Sequence, residues 1–265
     1  MMDKMIFGRY VPSDSIVHRL DPRSKLLFVF FYIAVVFLAN NVVTYGLLTF
    51  YTFLLLFLSN IPVKFILNGL KPILWLILFT FILHLFFTKQ GEVVFQWGWL
   101  TFYEEGIRQG IFISLRFLLL ILVTSLLTLT TSPISITDGL ESLLGYFKRW
   151  KFPVHELALM MSISLRFIPT LMQETEKIMK AQVARGADFT HGSIKDRLKA
   201  IVPLLIPLFV SSFKRAEELA VAMEARGYRG GEGRTKYRQL QWKWTDSVAL
   251  ITLAVLAFIL FMLRT

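Results

Sequence analysis

The chain has no cysteine in its 265 residues, which excludes a disulfide framework and any thiolate metal site. Histidine is nearly as scarce: His18, His84, His155 and His191 are scattered without metal-ligand spacing. No Ser/His/acid set and no carboxylate pair stands out in apolar surroundings, so the chain reads as non-catalytic, with neither a cofactor nor a metal of its own. Tyr228 to Thr235 (YRGGEGRT) imitates a phosphate-binding loop but misses its spacing, offers Arg234 where lysine belongs, and follows a helix rather than a strand. It reads as a linker. No cleavable signal peptide is expected, because residues 1–23 are polar and interrupted by Pro12 and Pro22. Acidic residues are also few, 18 against 29 Lys and Arg, for a net charge of +11. The distribution of that charge speaks for a membrane rather than a nucleic acid.

What the chain has is apolar bulk: 55% hydrophobic residues and 25 phenylalanines, too much for a soluble domain of this size. Leu26 to Leu58 carries no charge at all. Five stretches reach or approach the roughly 20 residues that a bilayer-crossing helix needs. They are about 25–39, 42–60, 72–88, 110–131 and 246–263, with Asn40-Asn41 as a tight turn between the first two. Asp21-Pro22 suits a helix start, with Asp as N-cap and Pro at the first position.

Lysine and arginine orient this set. Five (Lys4, Arg9, Arg19, Arg23, Lys25) lie before the body of the first span, Lys64 and Lys71 lie between the second and third, and eighteen lie from Ser132 to Thr245. Only Lys89 and Arg108 fall between the third and fourth. The N-terminus, the 60–71 loop and the 132–245 segment are therefore expected in the cytoplasm. Arg116, inside the fourth span, is a functional candidate as an intramembrane charge. Pairing with Glu104 or Glu105, or snorkelling outward, would account for it equally well.

From Pro133 onward the pattern turns amphipathic. Thr137-Asp138 is expected to open a short helix through Leu140, Leu143, Leu144 and Phe147, ending in Lys148, Arg149 and Lys151. Two long helices are predicted after Pro153, from Val154 to Arg185 and from Ile194 to Arg226, bent locally by Pro169, Pro203 and Pro207. Each runs from an apolar root to a charged tip, and Glu174, Glu176, Glu217 and Glu218 are expected to form solvated local pairs. The roots are too short to span and are placed at the inner leaflet. Both tips end in one tripeptide, Ala184-Arg185-Gly186 and Ala225-Arg226-Gly227, with Glu176 and Glu217, and Ala181 and Ala222, matching at the same offset. Glycine after a last turn is a common cap and arginine there relaxes the helix dipole. Termination alone does not demand the same tripeptide twice. Arginine's planar fork suits a carboxylate-lined groove, so the repeat reads as a docking device.

Four sets of residues carry a family resemblance. They are His18-Arg19-Leu20-Asp21-Pro22-Arg23-Ser24-Lys25-Leu26, Thr137-Asp138-Gly139-Leu140-Glu141, Ser164-Leu165-Arg166-Phe167-Ile168-Pro169, and the paired Ala-Arg-Gly tips. With them the chain resembles, nearly end to end, the transmembrane T component of energy-coupling factor vitamin and metal transporters, a branch of the ATP-binding cassette class. The resemblance implies a non-catalytic subunit in a prokaryotic cell membrane. Its partners would be two cytoplasmic ATPases and an exchangeable substrate-binding membrane subunit. Arg185 and Arg226 would each enter a groove of one ATPase. The long helices would act as levers that tip the substrate subunit, while Asp21, Pro22, Arg23, Arg166 and Pro169 would serve as family framework.

The expectation is thus an all-α polytopic membrane protein. It has a membrane domain over 1–131, a cytoplasmic coupling domain over 132–245 and a last transmembrane helix over 246–265. A self-contained secondary transporter is the rival reading, which would require charges or broken helices at the midplane of paired halves. An intramembrane enzyme would need a nucleophile or metal constellation.

Overall fold

A computed structural model describes residues 10–97, 100–146, 153–187, 189, 193–230 and 239–264. Among the described residues the protein is all-α apart from one short hairpin. In chain order the elements are α1 (Pro22–Val36), α2 (Val42–Ser59), α3 (Val63–Phe87), β1 (Val93–Trp97), β2 (Leu100–Tyr103), α4 (Glu104–Thr130), α5 (Pro133–Leu144), α6 (Val154–Ala184), α7 (Ile194–Ala225) and α8 (Trp244–Met262). The chain divides into two compact units. Leu144–Gln239 belongs to one, and Gly8–Leu143 with Leu240–Thr265 forms the other.

In the second unit α1, α2, α4 and α8 close around one apolar core. Tyr32, Val36, Leu48, Leu119, Leu253 and Leu260 lie at its centre. Leu253, Leu256 and Leu260 recur at helical spacing, so α8 turns one face inward and leaves Ile251, Val255 and Phe258 outside. Outward-facing apolar surface on every helix is what a lipid environment demands. α1 and α8 run side by side: Asp21 N–H donates to Asp246 at one end, and Asn41 Nδ2 donates to the Leu263 carbonyl at the other. Asn41 also caps α2 in a reciprocal box with Thr44. The helices α3 and α4 meet most closely at Gly106-x-x-x-Gly110. A Cβ at Gly106 would stand 3.1 Å from the His84 and Thr88 carbonyls, and one at Gly110 would stand 3.1 Å from the Phe81 ring. Small residues four apart let two membrane helices approach without side chains between them.

Length and apolarity qualify α2, α4, α6 and α8 to cross a membrane. α3 joins them if its two parts, bent by 55° between Lys71 and Ile73, count as one span. Pro72 at the break has no N–H to give, which explains the bend. α1 has 15 residues, about 22 Å of helix against a hydrocarbon core of about 30 Å. It packs in the same apolar core as α2, α4 and α8.

Three helices differ from the expected segments. α3 begins at Val63, so Lys64 and Lys71 stand on a helix rather than in a loop. α4 begins at Glu104, directly after the β1–β2 hairpin, which places Arg108 on it. α5 begins at Pro133, so Thr137-Asp138 lies inside the helix rather than at its opening. Ser132 caps α5 through its hydroxyl, which accepts from the Ser135 N–H at 3.2 Å.

Candidate functional site

The two Ala-Arg-Gly tips have one backbone geometry. In each, arginine directly follows the last helical residue, and the glycine after it turns left-handed, at φ +88° for Gly186 and +74° for Gly227. Gly186 N–H donates to the Val183 carbonyl at 2.9 Å and Ala187 N–H to the Gln182 carbonyl at 3.0 Å. Gly227 N–H donates to Glu224 at 2.8 Å and Tyr228 N–H to Met223 at 3.0 Å. These are two copies of a Schellman cap, which satisfies carbonyls that a helix end otherwise leaves open. Nothing lies within 4 Å of a Cβ built on either glycine, so the positive φ rather than crowding calls for glycine. Ala184, Arg185, Ala225 and Arg226 are exposed. Among the described residues neither guanidinium has a hydrogen-bond or ion-pair partner.

The helices behind these tips cross at an ion pair, Arg215 to Glu174, at 3.1 Å. These residues are repeat equivalents, since 174 and 215 differ by the same 41 positions that separate Arg185 from Arg226. Each tip therefore lies eleven residues beyond the crossing, an arm of about 16 Å. Ile163, Phe167 and Leu171, before the crossing on α6, share a cleft of about 270 Å³ with Leu219, Ala220 and Met223, beyond it on α7. The helices thus run past each other in opposing directions, and their tips leave the crossing on opposite sides. The Ser211 hydroxyl and then Arg215 hold the Glu174 carboxyl below its ordinary range. Glu174 is accordingly an interhelical partner rather than a local one. Glu176 does pair locally, with Lys180 at 2.8 Å. Arg166 and Pro169 are exposed on α6.

In the other unit, Asp21-Pro22-Arg23 sits in a buried polar cluster. Asp21 caps α1 by accepting from Arg23 N–H at 2.8 Å, while the Arg23 side chain returns two bonds, Nε to Oδ1 at 3.1 Å and Nη2 to Oδ2 at 3.0 Å. The same guanidinium reaches Ser142 Oγ at 3.4 Å and the Leu240 carbonyl at 3.3 Å, and lies 5.8 Å from the Trp242 ring. Asp246 is fully buried. Its Oδ1 accepts from Asp21 N–H and Ser24 Oγ, its Oδ2 from Lys243 N–H, all at 2.7 Å. Lys25 Nζ donates to the His18 and Thr130 carbonyls and to Thr131 Oγ1, closing the end of α4.

Arg116 has neither Glu104 nor Glu105 for a partner. It donates to Tyr45 Oη at 2.9 Å and lies 5.0 Å from the Phe37 ring, while Glu105 bonds Gln109 and Arg108. Among the described residues no three His, Asp or Glu side chains converge as a metal site. Lys4, Arg9, Phe147, Lys148, Arg149, Lys151, His191, Arg234 and Thr235 lie outside the described residues.

Two participants escape sequence reading. Asp246 looks like a span boundary, yet an acid in the first turn of an otherwise apolar helix, three residues after Lys243, is the pattern of a capping partner. The Glu174–Arg215 pair is visible in sequence as a shared repeat position with opposite charges.

Comparison with known proteins places these features in context. Residues 13–237 match the family CbiQ, described as cobalt transport protein. The chain is 64% identical over 264 residues to the energy-coupling factor transporter transmembrane protein EcfT of Bacillus subtilis (strain 168), with all of both chains covered. Proteins of the same name from Listeria innocua and Macrococcus caseolyticus are 58% and 54% identical, again over the full length of each chain.

Proposed function

The chain belongs to the CbiQ family, among the energy-coupling factor transporter transmembrane proteins, and from that premise we propose that it couples ATP use to solute uptake. In this reading two cytoplasmic ABC-type ATPases dock on the tips, one on Arg185 and one on Arg226. A substrate-binding membrane subunit, exchangeable and specific for a vitamin or metal ion, receives the resulting motion. The chain lies in a prokaryotic plasma membrane with its N-terminus in the cytoplasm, catalyses nothing, and binds neither nucleotide nor solute.

One observation carries the reading: two identically capped, unpaired arginines at equal distance from a crossing of repeat-equivalent residues. A helix end needs a cap, not a bare guanidinium. A guanidinium with open donors fits a carboxylate bidentately, and a partner groove that excludes water strengthens that bond. Ala184 and Ala225 leave room for the helix end to approach. Tips on opposite sides suit two separate docking grooves, and closure of an ATPase dimer would then turn α6 against α7.

The test is the double variant Arg185→Glu/Arg226→Glu in the full complex. ATP-driven uptake is expected to vanish and the ATPases to stop co-purifying, while the membrane part keeps its thermal midpoint. Normal uptake with normal co-purification refutes the docking.

A further inference from the structure

We infer that Arg23 is a positioning residue for energy coupling, a clamp that holds together the two chain segments joining Leu144–Gln239 to the rest of the protein. This rests on the coupling reading above and concerns how the motion is delivered rather than where the ATPases bind.

The stretch Leu144–Gln239, which holds α6 and α7, is inserted in the chain of the other unit, with its ends at Leu143/Leu144 and Gln239/Leu240. One guanidinium meets both boundaries. Arg23 Nη1 donates to Ser142 and Nη2 to the Leu240 carbonyl, one just before the first boundary and the other just after the second. Each segment has further fixings to the same end of α1. A Cβ on Gly139 of α5 would stand 3.1 Å from Leu26 and 3.2 Å from Pro22, so the two helices are in direct backbone approach there. The returning segment before α8 has no regular structure of its own. It is held at three successive points: Leu240 by its carbonyl, Trp242 by its ring facing Arg23, and Lys243 by its N–H on Asp246.

The clamp is built to stay. Asp21 orients Arg23 with a bidentate pair, and a carboxylate 1% exposed loses little of that attraction to solvent. Asp21 is paired with Arg23, and the Asp246 carboxylate is satisfied by the Asp21 and Lys243 N–H groups and the Ser24 hydroxyl. A helix cap at Asp21 would need only the backbone bond. The fork reaching in two directions is extra chemistry, and it lands on the only two segments, among the described residues, through which force from α6 and α7 travels along the chain. Fixing both at one point makes a rotation of the inserted unit a rotation of the membrane helices as well. With the segments free to part, the same rotation would be spent in stretching them.

The absence of cysteine gives a clean background for the test. In the full transport complex, uptake per ATP hydrolysed is measured for the wild type, Arg23→Ala, Arg23→Lys, and Arg23→Ala carrying Ser142→Cys and Leu240→Cys joined by a short bis-maleimide, which adds one thiol at each end. Arg23→Ala is expected to keep its ATPase partners and its hydrolysis rate while uptake per ATP falls about tenfold. Lysine, which keeps the charge without the fork, should fall between. The cross-link should restore most of the ratio, which a residue serving only to fold the chain would not produce. If Arg23→Ala fails to assemble, Ser142→Ala removes the 3.4 Å bond alone and should still lower the ratio about twofold. An unchanged ratio in the variant that assembles, or a loss that the cross-link leaves in place, overturns the clamp. The wild-type complex separates the two readings. Absence of ATP-driven uptake there defeats the coupling reading and this inference with it, whereas loss confined to the Arg23 variants supports the clamp.

Discussion

At the start of α1 a guanidinium gives its donors to Asp21, Ser142 and Leu240, while at the ends of α6 and α7 two others keep theirs open to solvent. The residue type is the same and each stands at a helix terminus. The surroundings differ: Arg23 faces a carboxylate 1% exposed and a fully buried second one, whereas Arg185 and Arg226 stand on exposed caps that are complete without them. A saturated arginine fixes chain segments to one another. An open one leaves its donors available, which is what the docking proposed above requires.

The largest effect should come from unbalancing the buried side of that contrast. Asp246→Ala leaves the Asp21 N–H, the Ser24 hydroxyl and the Lys243 N–H without their acceptor. A loss of about 3 kcal/mol is expected, read as a lower thermal midpoint in detergent. Arg226→Ala, on the open side, should leave that midpoint unchanged, and equal losses in the two variants would erase the distinction. Next come the caps. Gly186→Ala or Gly227→Ala forces a side chain onto a left-handed backbone and should cost about 1 kcal/mol. The loss should be confined to the last turn of one helix and seen as faster amide exchange there.

The crossing lies between the extremes, with side chains 36% and 25% exposed in Arg215 and Glu174. Solvent screens such a pair, so a double-mutant cycle of Arg215→Ala and Glu174→Ala should return no more than about 0.5 kcal/mol. The smallest effect belongs to His18. Its Nε2 lies 3.0 Å from the Val11 carbonyl and must donate, which leaves Nδ1 to accept from Ser15 Oγ at 2.7 Å in the neutral ring. Burial first, and then the charge of Lys25, lower its pKa against the opposing Val11 bond and Asp14. The fold therefore prefers the neutral imidazole. Its contribution is complete above the ordinary value of 6.5 and is lost as pH falls below it. The thermal midpoint should drop by no more than about 1 °C between pH 7.5 and 5.5, and His18→Asn should flatten that drop.

Legibility in the sequence followed the range of the interaction. The ends of α6 and α7 were readable because glycine, arginine and the apolar-to-charged gradient all act within one helix. The start of α1 was readable in the same way, as Asp followed by Pro. An equivalent signature, a capping side chain followed by proline, stands at Ser132-Pro133 and marks the start of α5, four residues before Thr137-Asp138. The hairpin of Val93–Trp97 and Leu100–Tyr103 hides among apolar aromatic residues that suit a membrane helix equally well. The long-range bonds of the polar cluster are not readable. Asp21 and Asp246 are separated by 225 positions, and no local pattern tells a buried acid that it will accept a bond from the far end of the chain. The Arg116 partners, Tyr45 and Phe37, escape for the same reason.

Eleven residues separate the Glu174–Arg215 crossing from either arginine tip. That equality has a geometric corollary. If α6 turns against α7 about that point by about 10°, each arginine sweeps an arc of about 3 Å, neither leading the other. The two arms are levers of one length: on the docking proposed above, two partners drawing together would each travel the same distance, and a change of even one helical turn in a single arm would make the stroke lopsided.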